Sequence, residues 1–374
     1  MSALDAIVIG LGADGSAAAA HLAARGAAVL GLEAFERGHA LGSSGGLTRV
    51  IRLAYYEHPD YVPLVRRAWI LWRELERESG TELLRKVGGV YVGPRDGELV
   101  AGALRSAREH ALPHELLDPA ALRDRLQGFR LDPDWWAVAE ETAGFLFPER
   151  CIAAHLALAE RHGAELRFGE RVASWERDGD GVRVRTDHGT YAATRLIVSA
   201  GAWNAHLLPR VAPLLSVRRV PLFWFDPVGE RDELSRLPVW IVDGGAAHWY
   251  GFPYLADQGL KVATHGGGTP ADPDTLDRSV HESDEAPVRA FVRERLPAGD
   301  GPVRSAKICM YTMTPDHHFI VDLDGPVAFA SACSGHGFKF ASVMGEILAD
   351  LALDGRTRHA IGFLSAARFA RVTA

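Results

Sequence analysis

Three scarcities in this 374-residue chain each exclude a class of protein. Its 3 cysteines are an odd number without metal-ligand spacing, which indicates reduced cytoplasmic thiols and argues against a disulfide framework. No apolar run approaches the roughly 20 residues that a membrane helix requires. Basic residues number 41 against 48 acidic ones, so the net charge of −7 leaves no excess of base for a nucleic acid. We therefore expect a soluble, cytoplasmic protein whose partner is a small molecule.

Lysine is also scarce. Only four of the 41 basic residues are lysines, at positions 86, 261, 307 and 339, and the other 37 are arginines. A lysine offers a compact ammonium group whose pKa shifts on burial, which a guanidinium cannot supply. Each position that keeps lysine is therefore a candidate for such a role.

The first 33 residues have the pattern of a strand, a glycine turn, a helix and a second strand. The predicted strands cover 6–9 and 28–32, and the Ala-rich helix covers 16–25. Gly10, Gly12 and Gly15 permit close approach to a pyrophosphate at the helix N-terminus, and Glu33 is placed to hold a ribose hydroxyl. The pattern predicts a dinucleotide site, and it fits FAD and NAD enzymes alike.

Later segments predict the rest of the architecture. A helical stripe covers 59–80, and short β runs over 163–203 end in a buried strand at 196–198 that closes on Gly201. Near the end, a strand at 327–332, a glycine turn at 334–337 and a helix at 338–353 repeat the opening pattern. The length favours about two domains, and their segments interleave along the chain.

Lys261 and His265 follow Gly259 in a β-like run, so their spacing places both side chains on one face of a strand. They are thus able to share one cavity, although a histidine that is simply satisfied in the core is the alternative for His265. The 16 histidines include no ligand-spaced pair beyond the adjacent residues 317 and 318, and we expect no metal site.

Six further segments lie in order along the chain: Thr48-Arg49-Val50-Ile51-Arg52 with Tyr55, Tyr61-Val62-Pro63-Leu64, Tyr250-Gly251-Phe252-Pro253, Lys261 with His265, Cys309-Met310-Tyr311-Thr312, and Ser334-Gly335-His336-Gly337-Phe338-Lys339-Phe340. Together with the opening motif they resemble the monomeric sarcosine oxidase and N-methyltryptophan oxidase family of D-amino-acid-oxidase-like flavoproteins. The resemblance covers nearly the whole chain, from about residue 6 to residue 350.

The resemblance implies an α/β (α+β) fold in which a Rossmann-like FAD-binding domain is interleaved with a substrate domain built on a mixed β-sheet. We assign residues 1–85, 137–213 and 305–374 to the FAD-binding domain, and 86–136 and 214–304 to the substrate domain. The residues expected to bind FAD are Gly10, Gly12, Gly15, Glu33, Val172, Gly201, Cys309, Gly335, Gly337, Phe338 and Lys339.

The family joins its flavin covalently, through the 8α-methyl group, to the cysteine that corresponds to Cys309. The alternative is an inert small core residue. Many members also carry a histidine in the loop before the arginine pair, where it assists the linkage. Here residues 42–47 contain none, so slower attachment, or none, stays open.

For the substrate, the resemblance implies that Arg52 and Lys339 hold an amino-acid carboxylate, with Tyr250 beside it. A structural ion pair is the alternative for Arg52, and a solvated lysine at a helix start is the alternative for Lys339. By resemblance, Lys261 lies on the oxygen side of the flavin and stabilises forming superoxide, His265 and Tyr311 line the substrate side, and Arg49 lies near the ring.

The sequence thus predicts a monomeric FAD-dependent oxidase of a secondary-amine amino acid, N-methyl or cyclic. Hydride passes from the free-base amine to the flavin, water hydrolyses the imine, and oxygen becomes hydrogen peroxide. One alternative is a flavin-dependent amine dehydrogenase or a biosynthetic imine-forming oxidase with a larger substrate. Another is an NAD-dependent dehydrogenase, which accounts for the first 33 residues but not for Cys309, Lys261 and Lys339.

Overall fold

The structure, a computed structural model, describes residues 4–245, 247–331 and 333–371. The strands within them are β1 (Leu4–Ile9), β2 (Val29–Glu33), β3 (Arg49–Arg52), β4 (Leu84–Lys86), β5 (Gly89–Gly93), β6 (Glu115–Leu117), β7 (Trp136–Glu140), β8 (Ala143–Leu146), β9 (Glu165–Phe168), β10 (Val172–Asp178), β11 (Gly181–Thr186), β12 (Thr190–Val198), β13 (Ser216–Phe225), β14 (Val239–Asp243), β15 (His248–Gly251), β16 (Leu260–His265), β17 (Thr269–Pro270), β18 (Val303–Met313), β19 (Ile320–Asp324) and β20 (Val327–Ser331). The α-helices are α1 (Ala13–Ala24), α2 (Tyr61–Ser79), α3 (Glu98–Glu109), α4 (Pro119–Arg125), α5 (Pro148–Arg161), α6 (Asn204–Leu207), α7 (Arg231–Ser235), α8 (Glu282–Arg295) and α9 (Ala341–Asp354).

The first sheet is built around five parallel strands in the order β9-β2-β1-β12-β20. The β10–β11 hairpin extends it along the first half of β12, and β19 pairs antiparallel with β20. β1 and β2 are apolar over most of their length because helices cover the sheet, as parallel strands require. The predicted strand, turn, helix and strand of the opening motif are confirmed as β1, α1 and β2.

The helix α1 packs between α5 and α9. Its run of alanines keeps the α1 surface flat, and α9 presents Gly345 to it. A Cβ atom added at Gly345 would lie 2.4 Å from the Cβ of Ala17, so the two helix backbones are already in contact. This contact joins the two ends of the chain and fixes the helix whose N-terminus faces the glycine turn.

The second sheet has nine strands, ordered β17-β13-β16-β15-β14-β5-β7-β6, with β18 paired to β13. It is mixed, because β14 and β5 run parallel while the other neighbours are antiparallel. The helix α8 packs on it through Phe291, which stacks on Trp249 with ring centroids 4.5 Å apart. A small third sheet, β3-β8-β4, carries Arg49 and Arg52.

The predicted fold class, a Rossmann-like domain interleaved with a mixed-sheet domain, is confirmed. The first sheet lies entirely in the segments assigned to FAD binding. β7 and β18 belong to the second sheet and extend past the assigned boundaries, so those boundaries stay a prediction. In the described part of the chain, no helix combines the length and apolar character needed to cross a bilayer.

Candidate active site

A cavity of about 470 Å³ lies at the carboxyl ends of β1, β2 and β12. In an open parallel sheet this edge is where ligands bind. The residues predicted for the cofactor that line this larger cavity are Gly10, Gly12, Glu33, Val172, Gly201, Gly337 and Phe338. The structure therefore brings together residues that lie more than 300 positions apart in the sequence.

The glycine turn shows why small residues are needed between β1 and α1. Gly10 has a φ of +84°, which a side chain disfavours. A Cβ atom at Gly15 would lie 1.8 Å from the carbonyl oxygen of Gly10, so the helix starts directly against the turn. Glu33 braces this arrangement from β2, since its carboxylate accepts the amide protons of Leu11 at 2.9 Å and Phe35 at 3.2 Å.

The larger cavity also contains polar groups that lack a partner within the described residues. The hydroxyls of Ser43, Thr312 and Ser331 are buried and make no hydrogen bond, yet all three residues line the cavity. Buried hydroxyls are normally satisfied, so these atoms are available to a ligand. The volume, the glycine cradle and these hydroxyls fit a large dinucleotide such as FAD.

A smaller cavity of about 70 Å³ adjoins the larger one, and the two share Ser43, Cys333, Gly337 and Phe338 in their walls. A ligand in the larger cavity would thus form part of the wall of the smaller one. The predicted site residues that line the smaller cavity are Arg49, Arg52, Tyr250, His265, Tyr311, Gly335 and Lys339.

Arg52, at the end of β3, already holds an anion. Its guanidinium is buried and donates to both carboxylate oxygens of Glu57 at 2.6 Å. It also lies over the rings of Tyr55 and Tyr56, at 4.3 and 4.6 Å from their centroids. Burial opposes ionisation of Glu57, but Arg52 outweighs it and lowers the pKa of Glu57 to about 2. A structural ion pair was the alternative expected for Arg52, but Glu57 was not identified as its partner.

Lys339 points its ammonium group at the carbonyl oxygen of His336, 2.5 Å away. Burial and the nearby Arg52 lower the pKa of Lys339 to about 7. The His336 ring lies between two partners, the Tyr55 hydroxyl at 2.5 Å from Nδ1 and the His317 carbonyl at 3.0 Å from Nε2. Burial lowers the pKa of His336 to about 3, so the ring is neutral at pH 7. Because a carbonyl only accepts, Nε2 donates to His317 and Nδ1 accepts from Tyr55. The sequence assigned His336 no role.

Three further hydrogen-bonding side chains also line the smaller cavity. His265 on β16 lies 6.4 Å from the ring of Tyr250 on β15 and 6.3 Å from that of Tyr311 on β18, between centroids. Burial lowers the pKa of His265 to about 4 and raises those of both tyrosines. All three groups are therefore neutral at pH 7.

Two basic side chains, Arg49 and Lys261, bind backbone carbonyls of the loop that follows Gly42. Arg49 donates to the carbonyls of Thr48 at 2.9 Å, Ser43 at 3.2 Å and Gly45. The Lys261 ammonium donates to the carbonyls of Gly46 at 2.7 Å and Thr48 at 2.8 Å. Burial and the neighbouring Arg49 lower the pKa of Lys261 well below its ordinary value.

Cys309 lies beside Arg49, with 3.6 Å between Sγ and Nη2, and its thiol faces the carbonyl of Ser43 at 3.5 Å. Lys261 and Cys309 are both buried, but neither is among the residues that line the two cavities. Lys261 and His265 lie on the same strand as predicted, yet only His265 reaches the smaller cavity. The Lys261 side chain instead contacts the carbonyls of Gly46 and Thr48 in the loop that follows Gly42.

Comparison with known proteins gives a consistent result. Residues 5–351 match the family model described as FAD dependent oxidoreductase. The chain is 44% identical over 380 residues to a monomeric sarcosine oxidase of Streptomyces avermitilis, covering 99% of each chain. It is 35% identical to an N-methyl-L-tryptophan oxidase of Yersinia pestis, covering 98% of this chain and 99% of that one. NikD, an unusual amino acid oxidase essential for nikkomycin biosynthesis, superposes with a TM-score of 0.85 at 25% identity, covering 98% of each chain.

Proposed function

The chain belongs to the FAD-dependent oxidoreductases, in the family of monomeric sarcosine oxidases and N-methyltryptophan oxidases, and from this premise we propose that it oxidises a small amino acid carrying a secondary amine. The amine is N-methyl or cyclic, the electron acceptor is oxygen, and the products are an imine, which water hydrolyses, and hydrogen peroxide. Bound FAD supplies the acceptor for the hydride equivalent and the route of the electrons to oxygen.

The observation that carries this proposal is the joining of the two cavities at Ser43, Cys333, Gly337 and Phe338. A dinucleotide in the larger cavity would meet a substrate in the smaller one along this shared wall. The smaller cavity, at about 70 Å³, favours a compact substrate over one with a large side chain.

Arg52 and Lys339 are proposed to hold the substrate carboxylate, and we call this pair the anion clamp. The planar guanidinium and the ammonium together match a carboxylate. Since Glu57 now occupies the Arg52 guanidinium, an incoming carboxylate has to displace Glu57 or share Arg52 with it. Glu57 therefore acts as an internal competitor for the clamp.

The amine must lose its proton before its C–H bond can be oxidised, because an ammonium has no lone pair to assist. Burial and the Arg52 guanidinium disfavour a further positive charge and so lower the pKa of a bound amine. His265, Tyr250 and Tyr311 are neutral and able to accept a hydrogen bond from the amine. They orient it without restoring the positive charge.

Lys261 and Arg49 are proposed to serve the oxygen side. Two carbonyls hold the Lys261 ammonium in place, and its charge stabilises negative charge that develops on oxygen. Cys309 is the proposed attachment point of the flavin, through the 8α-methyl group. The buried thiol lies 3.6 Å from the Arg49 guanidinium.

A peroxide assay over a panel of amines tests the proposal. We expect the highest kcat/KM with sarcosine or another compact N-methyl or cyclic amino acid, lower values with bulky N-methyl amino acids and glycated amines, and about one peroxide per amine oxidised. A purified protein without flavin absorbance would remove the assignment. A peroxide yield far below one would assign another electron acceptor.

The role of Lys261 is tested by Lys261→Met, with Lys86→Met, at the exposed last residue of β4, as the matched control. Stopped-flow spectroscopy should show flavin reduction by substrate close to that of the wild type. Reoxidation by oxygen should slow by about 10²-fold, the size expected when one preorganised charge is lost. Equal reoxidation rates in the two variants would exclude the role.

A further inference from the structure

Three basic side chains surround Cys309, and two of them are committed to carbonyl groups. Arg49 donates to the carbonyls of Thr48, Ser43 and Gly45, and Lys261 to those of Gly46 and Thr48. Carbonyl dipoles offset part of the charge of the cation they bind. These two residues therefore contribute less than a full positive charge toward the sulfur.

The third basic residue, Lys307, differs from these two in its contacts. It lies two positions before Cys309 on β18, so both side chains leave the strand on the same face. Within the ranges 4–245, 247–331 and 333–371, its ammonium makes no hydrogen bond or ion pair, although it is only partly exposed. Burial lowers the pKa of Lys307, while the nearby Glu149 and Cys309 raise it.

The loop opposite Lys307 is shaped to admit this ammonium. A Cβ atom added at Gly45 would lie 2.5 Å from Lys307 Nζ and 3.6 Å from Oε1 of Glu149. Lys307 therefore occupies the space that any side chain at position 45 would need. Glu149 fixes the loop there by accepting the amide protons of Gly46 at 2.8 Å and Leu47 at 3.1 Å. Residues 42–47 contain no ionisable side chain of their own.

We infer that Lys307 supplies a positive charge beside Cys309 that stabilises the negative charge developing on the sulfur as it bonds to the flavin, and thereby promotes attachment of the flavin. The inference rests on the covalent linkage proposed above. In that attachment the S–H bond of Cys309 and one C–H bond of the 8α-methyl group break and one C–S bond forms. The two electrons released reduce the flavin and pass to oxygen, which becomes hydrogen peroxide. Lys307 acts through Cys309 and is a positioning residue.

The test compares Lys307→Met, which removes the charge and keeps the length, with Lys307→Arg, which keeps the charge. Lys86→Met is the matched control for loss of a lysine elsewhere. Two quantities are measured on the full chain. One is the rate of Cys309 alkylation by iodoacetamide in protein made under riboflavin limitation, followed by mass spectrometry with Cys151 and Cys333 as internal references. The other is the fraction of flavin that stays with the polypeptide after denaturation.

We expect Lys307→Met to slow alkylation of Cys309 by about tenfold, the size of effect expected when one neighbouring charge is lost from a partly buried site. The alkylation rates of Cys151 and Cys333 should not change. The covalent fraction should fall in Lys307→Met and stay at the wild-type level in Lys307→Arg and Lys86→Met. Alkylation of Cys309 at the same rate in Lys307→Met and Lys86→Met would overturn the inference.

The two proposals fail in different ways. If wild-type protein releases all its flavin on denaturation, the covalent linkage is wrong, and with it the promotion of attachment. The effect of Lys307 on the reactivity of the Cys309 sulfur is then decided by the alkylation rates alone. A slowing of all three cysteines together would show a general loosening of the fold and would also overturn the role of Lys307.

Discussion

At the residue scale, the two members of the anion clamp differ in how firmly they keep their charge. Arg52 is a guanidinium locked to Glu57 and stays charged at any pH the protein tolerates. Lys339 is buried beside that guanidinium, which together with burial brings its pKa to about 7. The clamp therefore carries two positive charges below pH 7 and one above it.

This difference predicts a pH dependence for binding of a simple carboxylate such as propionate. Because only the protonated Lys339 attracts the anion, the Kd should rise as the pH increases through about 7, approaching tenfold per pH unit. The Kd is measured by the change in flavin absorbance between pH 6 and pH 9. Lys339→Arg should flatten the dependence, and an equally steep dependence in that variant would assign the titration to another group.

His336 is predicted to orient the clamp through Tyr55. Loss of its ring in His336→Ala removes the Nδ1 partner of the buried Tyr55 hydroxyl, which keeps only a longer contact of 3.4 Å to the His336 carbonyl, at a cost of about 1–3 kcal/mol. The Tyr55 ring under Arg52 should then shift, so that KM rises by about tenfold while kcat falls by less. Steady-state kinetics of His336→Ala and Tyr55→Phe provide the check. An unchanged KM in His336→Ala would contradict the prediction.

Residue types with special geometry or chemistry were predictable from the sequence. Gly10, Gly12 and Glu33 line the larger cavity, and their spacing follows from the needs of a βαβ turn, although their role in binding a cofactor stays a prediction. Glu57 lies only five residues from Arg52, but no motif marks it as the partner of that guanidinium. The contact of Tyr55 with His336 arises only when the segment after β3 meets the C-terminal region. Lys261 was assigned to the right strand, but its two carbonyl partners depend on a loop conformation that the sequence pattern does not encode.

At the scale of elements, α1 is fixed by close backbone contacts at both the turn and α9. In Gly15→Ala the added methyl carbon would lie 1.8 Å from the carbonyl oxygen of Gly10, so the turn has to move. We expect a fall in Tm and less bound flavin per chain than in the wild type, since overpacking of this kind costs about 1–3 kcal/mol.

Gly362→Ala is the control for this substitution. A methyl group there meets no atom within 4 Å, so only the general entropic gain of replacing glycine remains. Thermal unfolding and the ratio of flavin to protein absorbance are measured for both variants. If Gly15→Ala unfolds at the Tm of Gly362→Ala, the turn is not held as tightly as the geometry indicates.

At the scale of the whole molecule, the surface of the described residues offers little apolar area for a partner. The large hydrophobic side chains that are exposed there are Leu41, Leu47, Ile70, Val228 and Val280, and they come from four separate segments. An obligate homodimer interface would require a much larger apolar surface. We therefore predict that the protein sediments as a single 374-residue chain over a wide concentration range. A dimer that persists on dilution would contradict this.

The architecture was predictable in part at this scale. The βαβ unit and the closing strand and helix of the first sheet follow from hydrophobic periodicity, because each is a local pattern. The order of the nine strands of the second sheet does not, since β5 lies beside β14 although about 150 residues separate them. Such pairing depends on tertiary contacts, and it is also why β7 and β18 extend past the assigned domain boundaries.

The larger cavity has a consequence for how the protein is made. Its walls include residues 9–14 and, far along the chain, Phe319, Ile320, Val321, Ala330, Ser331, Cys333, Gly337 and Phe338, so a chain still attached to the ribosome lacks part of the cradle until the segment that ends at Phe338 has been made. Strand β1 likewise waits for β12 before it gains its second neighbour. Loading of the cofactor is therefore an event that follows synthesis. Cells starved of riboflavin should accumulate full-length chains that fill only when the vitamin returns.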